Sequence, residues 1–423
     1  MKTRILTIAI FVLFTTNLLA QTFNMSAELR PRYENKHGYK ALQPTDADGS
    51  NFISQRTRLN FGFKNENLKA YVSLQNTRVW GDVSTLAAQD NISGGIGTTV
   101  HQAWADVKLA KNFSVKLGRQ EIVYDDARIF GNVGWAQQAR SHDAFVFKLT
   151  PNKNNRLDVG FALNSDTQAG SDILYSNVAG YKTFQYAWYH GKFNNLGLSF
   201  LALNTGIEYL NGTDQKVDYR QTIGPRFTYK KNKLSANAAI YSQMGKISDT
   251  KVSALYYTAN LGYKIIDGFK VGLGYEYLSG KDTNDADADI KTFAPLFGTN
   301  HKFNGWMDYF YVGYGNSTGL QDINATFAYK KGKFSAVLKP HLFSAAADVY
   351  NGTDKMDASL GTEIDLNLGY KISKNIKFNA GYSKMIGTET LEVLKGGDKG
   401  ENSSWTWMMF TIKPNLFSHT TKK

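Results

Sequence analysis

The chain has 423 residues, no cysteine, 13% aromatic residues, only seven prolines and a formal net charge of +13. Without cysteine there are no disulfides and no thiolate metal sites. A basic balance of that size suits nucleic acid, a membrane surface or acidic solutes, and the first twenty residues argue against nucleic acid.

Those residues, MKTRILTIAIFVLFTTNLLA, carry Lys2 and Arg4, then an apolar run from Ile5 to Phe14, then small and polar residues ending at Ala20. That order predicts a cleaved export signal over 1–20, and the apolar run is too short to cross a bilayer as a helix. No Cys stands near the cleavage point to carry a lipid anchor. The mature chain is expected to be a single domain over 21–423, and nothing in it reads as a transmembrane helix.

Alternation begins at once. Phe23, Met25, Ala27, Leu29, Pro31 and Tyr33 share one face, and Asn24, Ser26, Glu28, Arg30, Arg32 and Glu34 share the other. The stretch ISQRTRLNFGF repeats the split, with Leu59, Phe61 and Phe63 opposing Arg56, Arg58 and Asn60. Period two is the mark of a β-strand.

One phrase then recurs: an apolar or aromatic residue, a Lys, a short polar break, and alternation again. It appears as GFKNENLKAYV, VKLAKNFSVKL, FKLTPNKNNRLDVGF and WYHGKFNNLGLSF, then as FTYKKNKLSANA, LGYKIIDGFKVGL, FAYKKGKFSAVL and LGYKISKNIKFNA. These eight tight turns join sixteen strands, and one further strand at each end brings the expectation to about eighteen. Longer polar segments lie between them, around 35–52, 81–97, 125–139, 166–181, 281–319 and 389–402. The fold class is therefore all-β: a transmembrane antiparallel barrel with short periplasmic turns, long extracellular loops, an apolar face in lipid and a charged face in a wet lumen. Closure is required, because an open sheet edge in lipid leaves backbone groups unpaired.

The densest charge lies in GRQEIVYDDARIF (118–130). Phe113, Val115 and Leu117 alternate outward, and the phase fails at Gly118–Arg119. A glycine at such a break reads as a bulge that re-aims Arg119 into the lumen. Ile129, Phe130, Val133 and Trp135 make the following segment too apolar for an external loop, so it is expected to fold inward as a constriction. Farther on, DTNDADAD (282–289) offers Asp285, Asp287 and Asp289 as a weak calcium candidate. It lacks the Gly and distal Glu of an EF-hand loop, and a solvated loop is the plainer reading. The seven histidines show no metal-binding spacing and read as girdle or surface residues. SSWTWMMFTIKPNLFSHTTKK reads as an aromatic closing strand followed by a tail. No cofactor is expected.

The stretch GRQEIVYDDARIFGNVGWAQQARSHDAF closely resembles the signature of the alginate-export porins of Gram-negative outer membranes. So do AELRPRYE (27–34), QRTRLNF (55–61), LQNTRVWGD (74–82) and LGTEIDLNLGY (360–370), all in the expected order. The resemblance implies an eighteen-stranded monomeric barrel in the outer membrane. Its pore would be arginine-lined and electropositive, passing anionic solutes, oligosaccharide or polysaccharide. The middle, 166–350, matches loosely and leaves selectivity to its loops.

Pattern and resemblance together place Arg30, Arg32, Arg56, Arg58, Arg78, Arg119, Arg128 and Arg140 in the pore lining. Glu28, Glu34, Glu121, Asp125 and Asp126 would hold them, and Glu363 and Asp365 face the lumen from the late strand. Strict alternation from Leu74 points Arg78 outward, against this assignment. Guanidinium groups keep their charge when partly desolvated and grip carboxylates in a fork, so a ring of them attracts anions. The bland alternative is that these charges satisfy one another inside a wet barrel. Rival functions are a lipase-like barrel enzyme, a structural or adhesin barrel, and a plugged receptor. The enzyme needs an outward His beside an outward Ser, for which only His101 and His190 are placed, neither with an evident partner. The receptor needs an N-terminal plug, and strand pattern starts directly after Ala20.

Overall fold

A computed structural model describes residues 21–83, 85, 97–168, 170, 173–311 and 317–421; the leader expected at 1–20 lies outside the described residues. In chain order the first strands are β1 (Thr22–His37), β2 (Ser50–Lys64), β3 (Leu68–Val79), β4 (Thr99–Ala110), β5 (Phe113–Gln120) and β6 (His142–Asn152). Next come β7 (Asn155–Leu163), β8 (Thr183–Phe193), β9 (Leu196–Asn211), β10 (Asp214–Lys231), β11 (Leu234–Ile247), β12 (Thr250–Ile266) and β13 (Phe269–Leu278). The last third holds β14 (Leu320–Lys331), β15 (Phe334–Ser344), β16 (Tyr350–Asn351), β17 (Asp354–Lys355), β18 (Ser359–Lys371) and β19 (Ile376–Gly387). A short helix, α1 (Glu389–Lys395), precedes β20 (Ser403–Ile412) and β21 (Asn415–Thr420).

Neighbouring strands pair antiparallel, and β1 pairs with β2 on one side and with both β20 and β21 on the other, so the sheet closes. β20 and β21 form one interrupted strand along β1. The break comes at Pro414, which has no N–H to give, although its carbonyl still accepts from Ala27 N at 3.1 Å. With β16 and β17 set apart as a small ribbon, the barrel has the eighteen strands that alternation predicts. The expected tail is in part strand: residue 415 and residues 417–420 pair with the start of β1.

All eight Lys-bearing turns lie at one end. At the other end, two connections that composition does not mark are tight turns at 212–213 and 248–249. They let β9 to β12 run for 14 to 18 residues. The outer face is apolar as expected. Leu273 is 68% exposed and Leu261 60%, with Phe145 and Phe147 also open, a pattern that suits a lipid solvent.

The lumen departs from expectation. It is not wet throughout, because two segments fold into it, 121–141 between β5 and β6 and 290–311 between β13 and β14. They bury Phe130, Phe297, Tyr181, Phe184, Tyr186 and Leu203 in one apolar cluster against β8 and β9. Trp405 and Trp407 of the closing strand also point inward, onto Trp135. His101, His142, His301 and His341 are likewise interior, not girdle or surface residues.

Orientation is open to a direct check. With the tight turns in the periplasm, a cysteine replacing Ala286 should react with an impermeant thiol reagent on intact cells, and one replacing Asn375 should not. Reversed labelling would invert the barrel.

Candidate functional site

The inward segment 121–141 starts where β5 ends. Gly118 has φ +107°, and a Cβ there would lie 2.3 Å from the Ala103 carbonyl oxygen. Glycine is thus required by close approach, yet from Ser114 through Arg119 β5 keeps continuous register with β4 and β6. Without a bulge, Arg119 stays in the outward phase and pairs with Asp143 at 2.8 Å, while Gln120 takes the lumen side. The expectation that Arg119 is re-aimed into the lumen is corrected.

Residues 134–138 of this segment cross the lumen as a strap, held by arginines of β1 and β2. Arg30 donates to the carbonyls of Gly134 (2.7 Å), Trp135 (3.0 Å) and Ala136 (3.1 Å) and to Gln137 Oε1 (3.0 Å). Arg32 donates to Trp135 O at 2.8 Å and lies 4.3 Å from the centre of the Trp135 ring. Arg56 reaches Gln137 O at 3.4 Å and is paired with Glu28 at 2.6 Å. The alternating phase of β1 and β2 puts these guanidiniums on one wall. Five donors in a planar fork let each span several carbonyls.

The second inward segment docks on β13, β14 and β18 through acceptors. Glu363 accepts from Met307 N at 2.8 Å and Asp365 from Trp306 N at 3.2 Å. Gly305 makes the approach possible: at φ +82°, a Cβ would sit 2.5 Å from Glu363 Oε2. Asp322 and Glu276 take the Asn304 amide at 3.3 and 3.2 Å, and buried His341 bonds Asp322 at 2.8 Å. The two segments join each other through Gly131 N to Phe297 O (2.8 Å), Thr299 N to Ala127 O (2.8 Å) and stacking of Trp135 on His301.

The other expected site residues have mixed placements. Glu34 holds Arg32 at 2.8 Å, as expected. Arg128 is not free in the pore but is buried against Glu276 and Asn304, bolting the strap segment to the far wall. Arg140 donates to Gly298 O at 3.1 Å. Arg78 keeps the outward phase, opposite Gln55, and reaches Asp82 at 3.1 Å on a cavity rim. Glu121 does not hold an arginine; it bonds His101 and Asn132, each at 2.9 Å. Asp125 also serves no arginine and accepts from Trp188 Nε1 and Ser199 Oγ. Asp126 holds Arg226 at 2.7 Å, an arginine that no sequence motif singles out.

Two cavities flank the strap. The one toward the tight-turn end, of about 750 Å³, is lined by Arg30, Arg56, Arg58 and Lys413 with Glu28, Glu121 and several amides. Arg58 is its least engaged cation: Nε donates to Gln75 at 2.7 Å, while Nη2 has no partner. The cavity toward the loops, of about 560 Å³, is lined by Arg32, Lys36, Lys40, Arg78, Tyr39 and Trp135 among others. Tyr39 donates to Asp308, and burial, then that carboxylate, push its hydroxyl well above the usual range. Cations outnumber carboxylates around both cavities.

The acidic loop offers no metal cradle. Asp285 and Asp287 pair with Lys291 at 2.8 and 3.3 Å and Asp289 pairs with Lys251 at 3.3 Å; no metal-holding cluster occurs among the described residues. The histidines weighed for a lipid-facing enzyme face the lumen, and they do have hydroxyl neighbours: Ser199 is 3.0 Å from His190 and Ser141 is 3.4 Å from His101. Neither of the two therefore supplies the outward His that reading needed.

A family model described as Alginate export matches residues 21–393. None of the curated proteins matches the sequence. Among solved structures, Pseudomonas aeruginosa OccK3 (OpdO) is 13% identical, with a TM-score of 0.61 over 93% of this chain and 96% of that one. OpdK of the same organism, solved with vanillate, is 12% identical with a TM-score of 0.60 over 95% and 99%. OccK5 (OpdH) is 10% identical with a TM-score of 0.60 over 93% and 98%. Identities this low establish the fold, which is that of a Gram-negative outer-membrane porin.

Proposed function

Because the chain belongs to the alginate-export family and is an outer-membrane channel, we propose that it passes anionic solutes or an acidic oligo- or polysaccharide through an arginine-lined passage. The observation that carries this reading is the row Arg30, Arg32, Arg56 and Arg58, four guanidiniums on one wall that border both cavities where the strap divides them. Three of them fasten the strap. Glu34 and Glu28 pair with Arg32 and Arg56, whereas Arg30 bonds only carbonyls and an amide and Arg58 an amide, so the row keeps a net positive charge and sets the field as well as the width.

A small aromatic carboxylate is a second cargo compatible with the site. Trp135, Tyr39, Phe52 and Tyr311 share the loop-side cavity with Arg32 and Lys36, and the similar fold of OpdK was solved with vanillate.

Reversal potentials in a salt gradient across a planar bilayer test the reading. The channel should favour anions. Arg58→Ser should weaken that preference without loosening the strap, because Arg58 makes no bond to it. The loss should be greatest at low salt, where the Debye length is about 30 Å at 0.01 M. A cation-selective wild type would refute the reading.

A further inference from the structure

Two of the chain's seven prolines meet at one seam. Pro31 stands in β1, and Pro414 at the break between β20 and β21, the strands that close the barrel against β1. Proline has no N–H, so each removes one of the two ladder bonds that its rung would hold. The register sets Pro31 opposite Phe410 and Pro414 opposite Ala27, and the pairing lapses at residues 27–28 and 30–31 of β1. Leu29 with Ile412 is the one complete rung between the two gaps. Pro225 and Pro340 also interrupt β10–β11 and β14–β15, but at one rung each. Among the described residues no other strand pair of the barrel loses two bonds to proline.

The cavity of about 750 Å³ lies directly behind this seam. Its lining includes Ser26, Glu28 and Arg30 of β1, and Lys413 and Asn415 on either side of Pro414. Ala27 lines it too, although it belongs to the lipid-facing phase. Lys413 pairs with Glu28 at 3.2 Å yet stays open to solvent, and Nη2 of Arg58 has no partner. On the lipid side the weakened rungs carry short side chains, those of Ala27, Pro31 and Pro414. Larger apolar groups flank them: Phe23 beside Phe417 toward the rim, and Tyr33 opposite Met408 farther up the wall.

We propose that this seam is a lateral portal, through which an anionic amphiphile with one acyl chain passes between the bilayer and the cavity behind it. The inference goes beyond passage along the barrel axis and adds a second route, through the wall. The headgroup seats against Arg58 and Lys413, and the chain lies between β1 and the closing strand. The two weakened rungs are four residues apart, about 13 Å along the strand, and neighbouring strands are about 4.8 Å apart. A slot that long and narrow suits a single extended chain. Cations on the lumen side and apolar side chains on the lipid side select a molecule that has both characters, and a small soluble anion gains nothing from the seam. Elsewhere in the wall a complete rung must give up two bonds in hydrocarbon, where nothing replaces them. Here each proline rung gives up one.

A reversible lock on the seam tests the proposal. The chain has no cysteine, so Leu29→Cys with Ile412→Cys supplies a single pair, at directly opposed positions, that oxidation can join. Channels in planar bilayers are then exposed to dodecyl sulfate below its micellar concentration, with inorganic sulfate as the control that shares its headgroup. With the pair reduced, dodecyl sulfate should block the current at roughly tenfold lower concentration than with the pair oxidised. Sulfate should act equally in both states. Pro31→Val with Pro414→Val, which restores both ladder donors, should lower the sensitivity to dodecyl sulfate as the lock does, and keeps the test open if the oxidised pair fails to form. Equal block of locked and unlocked channels overturns the portal and leaves the prolines the task of blunting two free strand edges before closure. Undiminished sensitivity of the folded valine variant overturns it too, as does a reduced channel that dodecyl sulfate does not block. Reversal potentials in simple salts report on the anion-channel reading separately, so failure of one is not failure of the other.

Discussion

Phe61→Arg or Leu366→Arg is expected to destabilise the barrel by roughly 2–4 kcal/mol, while Asn60→Arg and Asn367→Arg leave it folded. The paired positions differ by one residue and therefore by one face. Phe61 lies opposite Val72 and Leu366 opposite Leu338, all in the lipid-facing phase. A guanidinium there must leave water for hydrocarbon near the bilayer midplane. Asn60 is hydrogen-bonded to Ser73 in the lumen and lines the larger cavity, where an added cation meets solvent. Heat-modifiable migration on gels, or urea titration in lipid vesicles, reads the difference. Equal damage from both members of a pair would show the assigned faces to be wrong.

Arg30→Ala should release the strap. The substitution removes donors from three backbone carbonyls and from Gln137, all inside the barrel, at a local cost of roughly 1.5–3 kcal/mol for lost charge-assisted bonds. Arg32 and Arg56 still touch the same carbonyls, but Arg56 does so only at 3.4–3.5 Å. The strand ladder is untouched, so the barrel should persist while the divider between the two cavities gives way. Single-channel conductance should rise and become noisier even as one positive charge is lost. That sign separates Arg30 from Arg58, whose loss should reduce anion preference with no gain in conductance. A folded Arg30→Ala channel with unchanged conductance would mean that the strap does not set the width.

Strand number, faces and register were legible because each depends on neighbours in sequence. Period two assigns the face, and the Lys-bearing turn fixes where the chain reverses. The inward fold of 121–141 was legible for the same local reason, since Ile129, Phe130, Val133 and Trp135 are too apolar for an exposed loop. The same reasoning applies to Phe293, Phe297, Trp306, Met307 and Phe310, which mark the second inward segment within a stretch whose polar residues suggest an external loop. Partner choice was less legible. Nothing local says that Asp126 meets Arg226 or that Glu121 turns to His101, because those contacts join residues brought together only by closure and by the inward segments. At Gly118 the break in phase predicts a bulge, whereas the ladder stays regular and the glycine makes room for the Ala103 carbonyl.

The pairing of β1 with the interrupted last strand also dictates an order of events in assembly. Every hairpin joins segments that are close along the chain, but the seam joins Thr22 to Thr420, 398 positions away. Loop-closure entropy makes that contact about 3 kcal/mol harder to form than one across a loop of about fifteen residues. The seam should therefore be the last contact made and the first to open. Until it forms, both terminal strands present unpaired amides and carbonyls, which hydrocarbon cannot satisfy. A nascent chain must then either zip shut in the act of entering the bilayer or have its two free edges sheltered by another protein until the ends meet.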